Sequence, residues 1–383
     1  MSLRVPVRPV MLRWARRRSR LEPDVLLRKF PALASWEAGT KQPTLKQLEK
    51  FAKATHTPVG YLFLSEPPDE PIPIPDFRTI GDIEIGHASP DLLDTIYQCQ
   101  QRQEWYRDYA RLHREDPVPF VGSLTVDADV VAAASQMRRV LAFAPEQRGP
   151  TWSAALRRLI DEADEHGVLV MVSGVVGSNT HRKLDPAEFR GFALSDSLAP
   201  VIFVNGADTK AAQIFTLAHE LAHLWLGESA VSDANMAGSP ANATERWCNQ
   251  VAAEFLLPLS QLEGFDIDRN DISNELQRLA RRFKVSTLVS LRRLYDLGYL
   301  TAAQYRDEFA AELERVLEIL EERDGAGGGN FYSTKPVQVS KRFTRALIVS
   351  TLEGQTLHRD AFQMLGFKKV STFNELAARL GVI

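Results

Sequence analysis

The chain has 383 residues, of which 44% are hydrophobic and 25% charged, so a folded protein of two or three domains is expected and a disordered or fibrous class is excluded. Cys99 and Cys248 are too few for a disulfide framework, and no apolar run approaches the ~20 residues of a membrane span; a reducing, cytoplasmic setting without a membrane partner follows. The net charge of −3 hides an asymmetry: residues 1–53 carry thirteen basic side chains against four acidic ones, leaving −12 for the remainder. Such a head suits a polyanion such as DNA, or an internal docking surface.

Residues 1–66 read as a helical domain built from "MLRWARRR", "EPDVLLRKF" and "TLKQLEKFAKAT", punctuated by Pro23, Gly39 and Pro43. The proline-rich stretch within 67–80 reads as a stiff, extended linker. Helical periodicity then runs through "PDLLDTIYQCQQRQEWYRDYARL", "DADVVAAASQMRRVL" and "TWSAALRRLIDEADEHG". It gives way to three short runs rich in valine and phenylalanine, "VLVMVSGVV", "FRGFALSD" and "APVIFVN", which predict a small sheet. Two apolar helical stretches follow, "FTLAHELAHLWLGE" and "TERWCNQVAAEFLLP", and residues 81–265 are assigned to one domain. Residues 266–324 predict a helix pair and a long helix, and residues 325–383 a helical module behind the hinge "GAGGG". The fold class is therefore α+β, mostly helical, with one small sheet.

The stretch "HELAH" carries the chemistry. On a helix, residues four apart share a face, so His219 and His223 aim at one ion, while Glu220 reaches a water beside it. A catalytic zinc takes three protein ligands and keeps a position open. Candidates for the third are Glu228, Asp233, Glu245 and Glu254. Glu228 follows too closely, and Asp233 lies in a loop rich in small residues. Glu245 and Glu254 are nine residues apart, which at ~100° per residue puts them on opposite faces of one helix. Glu245 lies over Asn249 and Ala252, a face small enough to approach the histidines, so it is the expected ligand, with Asn249 as its supporting neighbour. A capping box with Asn242 is the competing role for Glu245. Cys248 reads as a buried thiol rather than a rival ligand.

These residues resemble the ImmA/IrrE family of bacterial zinc metallopeptidases, through "FTLAHELAHLWLG" and "TERWCNQVAAEFLLP", over roughly residues 160–300. The resemblance implies a regulatory, intracellular Zn2+ endopeptidase that cleaves a helix-turn-helix repressor or another neighbouring-gene product. It makes His219, His223 and Glu245 the ligands and Glu220 the general base. It also implies a helix-turn-helix-like segment after the core. "LARRFKVSTLVSLRRLYDLGYL" fits that place and would expose Ser286, Thr287, Ser290 and Arg293. The head resembles Xre/Cro-type DNA-binding domains through "ASWEAGTKQPTLKQLEKFAKATHTPVGYLF". Only the eight residues "RKFPALAS" separate "VLL" from Trp36, however, and Pro31 stands where the turn belongs, so phosphate contact through residues 1–53 is expected rather than base reading. The alternative is a non-proteolytic DNA-binding regulator or antitoxin-like module with a toxin partner; the intact Glu220 favours hydrolysis. His358 and Asp360 are expected to be surface residues.

Overall fold

The structure is a computed structural model and describes residues 4–76, 88–232, 242–323 and 337–383. Asp233 and the "GAGGG" hinge lie outside the described residues, as do residues 77–80 at the end of the proline-rich stretch. The chain forms two compact units, one of residues 1–73 with 83–96, the other of residues 74–82 with 97–383.

The first unit contains four short helices: α1 (Pro9–Arg18), α2 (Pro23–Lys29), α3 (Leu33–Glu37) and α4 (Leu45–Ala54). Pro9 opens α1, where its missing N–H costs nothing, and Thr44 with Gln47 forms a reciprocal capping box on α4. Their apolar faces meet in a core containing Met11, Leu12, Leu33, Trp36 and Phe51, where Phe51 receives Trp36 and Phe30 edge-on. The five-residue α3 stands where a recognition helix would be, and both Leu33 and Trp36 turn inward. Arg16 pairs with Glu37 at 2.7 Å and Arg18 with Glu70, and Arg13 donates to the Glu37 carbonyl at 2.6 Å. Arg4, Arg8, Arg17, Arg20, Arg28 and the five lysines from Lys29 to Lys53 remain exposed.

Helix α5 (Pro90–His113) leads into the second unit, followed by α6 (Val130–Val140) and α7 (Trp152–Glu165). Strands β1 (Leu169–Ser173), β2 (Gly191–Leu194), β3 (Val201–Asn205) and β4 (Ala230–Ser232) make one mixed sheet in the order β1-β3-β2-β4. β1 runs parallel to β3, and the other two pairings are antiparallel. Every strand residue is buried, so these runs show continuous apolarity instead of alternation. β4 was not expected from the sequence. Its outer edge meets the proline-rich segment, where the Val231 N–H donates to the Pro75 carbonyl at 2.9 Å and Asp76 bridges Val231.

Helix α8 (Lys210–Leu226) crosses the sheet, and α9 (Ala243–Leu256) packs against α8 and α6. α8 stops at Gly227, in a left-handed conformation at φ 75°, where a Cβ would lie 3.0 Å from the Gly122 Cα. The amides of Gly122 and Leu124 take up the exposed carbonyls of Leu224 and Trp225, both at 3.0 Å. Arg148 does the same for two further helix ends. Fully buried, it donates to the carbonyls of Phe255 and Leu256 in α9 and of Phe283 in α10 (Ile272–Phe283). Burial pulls its pKa down to about 9.

Helices α10 and α11 (Thr287–Asp296) form the expected pair, followed by α12 (Ala302–Arg323), but the expected exposure of α11 is incorrect. Ser290 and Arg293 are buried, and Ser286 and Thr287 are half-buried. Ser286 caps α11 through Val289 N–H, Thr287 donates to Glu312 of α12, and Arg293 pairs with Glu254 while donating to the Leu257 carbonyl at 2.8 Å. These side chains are engaged in interior polar links.

The chain closes with α13 (Lys341–Leu352), α14 (His358–Leu365) and α15 (Val370–Arg379), whose small core includes Ile348, Phe373 and Leu376. The Asp164 carboxylate at the end of α7 accepts from the Ser340 hydroxyl at 2.6 Å and the Arg342 N–H at 2.8 Å. Arg102 of α5 donates twice to the Met364 carbonyl. His358 is exposed, and Asp360 pairs with Arg359 at 3.0 Å. No helix among the described residues is long and apolar enough to cross a membrane.

Two predictions follow from this packing. Removing one member of the buried Arg293–Glu254 pair strands the other charge, so Arg293→Met should cost about 3–5 kcal/mol in urea denaturation, with most of it recovered in the Glu254→Leu/Arg293→Met double variant. Burial pushes the Asp164 carboxyl from 3.8 up to about 6. A folded pKa above the unfolded one means that the folded chain holds the extra proton between those values, so stability falls as pH rises from 4 to 7. The loss from this group should be about 2–3 kcal/mol and absent from Asp164→Asn, measured as the difference between the two stability profiles.

Candidate metal centre

α8 is placed by its own sequence signals. Thr209 caps it by accepting the Ala212 N–H, and its residues from Gln213 to Trp225 are all buried between the sheet and α9. Ala218 and Ala222 on α8 and Cys248 and Ala252 on α9 are fully buried and small, which lets these two helices pack closely.

His219 and His223 stand one turn apart with their Nε2 atoms 3.1 Å from each other. Glu245, in the first turn of α9, reaches both, with Oε2 3.2 Å from His219 Nε2 and Oε1 3.0 Å from His223 Nε2. The capping alternative for Glu245 is not realised: Asn242 caps α9 through the Thr244 N–H, and the Glu245 carboxylate points to the histidines. Among the described residues these three form the group with metal-ligating spacing, all donor atoms lying within 4.8 Å of one another.

The donor set fits a zinc ion. Bonds of about 2.0–2.1 Å in a tetrahedron imply ligand–ligand separations of about 3.3 Å. The three separations of 3.1, 3.2 and 3.0 Å lie close to that edge. Two imidazoles and a carboxylate also suit a borderline cation.

The other sequence candidates are elsewhere. Glu254 turns away to Arg293 and the Leu259 N–H, Glu228 is exposed beyond the end of α8, and Cys248 is buried outside the donor group. Burial raises the Cys248 thiol well above its ordinary range, with Glu245 and Glu220 adding to the effect. Asn249 lies one turn after Glu245, and its amide oxygen is buried without a hydrogen-bond partner.

Glu220 is fully buried beside the histidines, and among the described residues the Ser232 hydroxyl is the hydrogen-bonding group near enough to favour its ionised form. Burial pushes its carboxyl up to about 8, opposed by His219 and reinforced by Glu245. Burial would also raise Glu245, but the charges and hydrogen bonds of the two histidines hold it well below the usual carboxylate range. Burial lowers His223, the form a metal requires of an imidazole.

Two residues at this centre were not read from the sequence. Ser232 on β4 is fully buried, its Oγ 3.4 Å from His223 Nε2 and 3.5 Å from Glu245 Oε1. Its partner across the sheet is Gly191 of β2. A Cβ on Gly191 would lie 2.5 Å from Thr216 Cγ2, 2.9 Å from the Phe203 carbonyl and 3.2 Å from Glu220 Oε1. Glycine at this rung therefore leaves the space that the α8 side chains fill. His219, Glu220, His223, Glu245 and Ser232 are all buried, none more than 3% exposed.

Residues 163–295, which hold the sheet and α8 to α11, match the M78 peptidase family model, described as an IrrE N-terminal-like domain. Residues 339–379, the last three helices, match a domain of unknown function, DUF8813. No curated protein matches the chain. The first match places the centre within a peptidase-type domain, a hydrolase at that level of description.

Gly191→Ala should destabilise the chain by about 1–3 kcal/mol through overpacking. Thr216→Ser removes the methyl in the tightest contact, so the Gly191→Ala/Thr216→Ser variant should recover part of that loss. A double-mutant cycle in denaturant with no coupling between the two sites would contradict this geometry.

Proposed function

We propose that the chain is a zinc-dependent endopeptidase, with His219, His223 and Glu245 holding the ion and Glu220 moving the proton. Supporting this reading above all is Glu220, a fully buried carboxylate set beside three donors at tetrahedral spacing. A structural site would need the ligands and would gain nothing from the additional buried acid.

Zinc, when bound, supplies Lewis acidity towards a peptide carbonyl and acidifies water. The remaining chemistry belongs to the chain. Glu220 accepts a proton at Oε1 or Oε2 from the attacking water and returns it to the leaving amine. As a base it must start ionised, which burial alone opposes; a divalent cation a few ångströms away favours the ionised form and brings the carboxyl back towards neutral pH. Glu245, held ionised by the histidines, balances part of the ion's charge.

The substrate proposed is a protein regulator, either a helix-turn-helix repressor or a neighbouring-gene product, as the sequence resemblance implies. The exposed basic residues of the head support a contact with DNA phosphates. The burial of the centre favours a second reading, a regulator or antitoxin-like partner-binding module in which zinc is structural.

Metal content and cleavage separate the two. Glu220→Gln should keep about one zinc per chain and lose on the order of 10²–10⁴-fold in cleavage of candidate regulators. Zinc retained by both proteins with cleavage by neither supports the structural reading instead. Glu245→Ala should lose zinc while Glu254→Gln retains it; the reverse would displace Glu245 from the ligand set.

A further inference from the structure

A cavity of about 390 Å³ lies at the other end of α8 from Gly227. Three helices begin at its wall. Thr151, Thr209 and Ser286 cap α7, α8 and α11, each accepting the N–H three residues on. The amides of the first two residues in each helix have no intrahelical acceptor, and the positive ends of three helix dipoles meet there. The rest of the wall is largely apolar, including Trp152, Phe215, Leu288 and Val316.

The charges around the cavity do not cancel. Asp208 has Arg190 at 3.5 Å, and Glu312, which holds Thr287, has Arg315 at 2.6 Å. Lys210, the first residue of α8, has no carboxylate within ion-pair distance among the described residues and donates to the Gln213 amide oxygen at 3.1 Å. Lys210 and Ser153 also line an adjoining cavity of about 400 Å³, where Arg157, Lys341 and Arg379 face Asp161 and Asp164. Arg379 is paired with Glu375, and Arg157 and Lys341 are matched in number by Asp161 and Asp164, so the second cavity leaves the charge of Lys210 uncancelled.

We propose that the first of these cavities, walled by Trp152, Phe215 and Leu288, binds a small organic anion, a carboxylate or phosphate monoester on an apolar body, with its charged end at Lys210 and the helix N-termini. The apolar body lies against Trp152, Phe215 and Leu288. Phe215 stands one turn before His219, their ring centroids 6.4 Å apart, which sets this ligand beside the metal centre but outside its donor set. The size suits a ligand with one ring or a medium acyl chain.

The test uses the full chain and three probes of matched shape, 4-phenylbutyrate, 3-phenylpropyl phosphate and the neutral 4-phenylbutanol, titrated by calorimetry. At least one anion should bind about tenfold more tightly than the alcohol, the size of effect one charge-assisted contact gives. Lys210→Met should remove that preference, and Leu288→Trp, which fills the apolar end, should remove binding of all three. Glu220→Gln should leave every affinity unchanged, which separates this site from the catalytic reading. Which anion binds better decides between carboxylate and phosphate ligands. Absence of saturable binding by either anion overturns the proposal, as does a preference for anions that survives Lys210→Met or binding that survives Leu288→Trp.

Discussion

The close packing of α8 on α9 is the constraint on which the metal centre depends. Two imidazoles on one helix face define only a line of donors, and a third group has to come from another element within about 3 Å. Alanines at 218, 222 and 252 and the small Cys248 let the second helix come near enough for Glu245, in its first turn, to reach both rings. A larger side chain at any of these four positions would separate the helices and break the donor triangle before it affected the histidines themselves. The sheet below acts in the same way, because Gly191 leaves room for Thr216 and Glu220 to settle onto β2.

Much of this was legible in the sequence, for identifiable reasons. The histidine spacing, the helical face shared by Glu245 and Asn249, and three of the four strands are local patterns with a period of 3.6 residues or a clear apolar run. β4 has three residues and no alternation, and only pairing with β2 and with Pro75 makes it a strand. Ser232 was invisible for the same reason. The exposure expected for Thr287 and Arg293 was wrong because their partners, Glu312 of α12 and Glu254 of α9, lie far away in sequence. One signal was present: a glutamate in the apolar run "AAEFLLP", on the face opposite Glu245, has to be answered by a buried cation, and Arg293 is that cation.

The second unit treats its buried charges in two different ways. Arg148 is surrounded by three helix-end carbonyls, Arg293 by Glu254 and a backbone carbonyl, and Asp164 by a hydroxyl and an amide. Each of these groups ties together elements distant in sequence, and hydrogen bonds made on the spot offset part of the desolvation. Glu220 is as deeply buried as any of them, and the Ser232 hydroxyl and His219 oppose its burial only in part. The cost is understandable at a position where a proton has to be taken up and released, since a carboxylate fully engaged by fixed donors would have its pKa driven down and would make a poor base. The weakly compensated acid and the packed interior around it are thus parts of one arrangement: rigid packing holds Glu220 in place, and its incomplete compensation keeps its carboxyl able to exchange a proton.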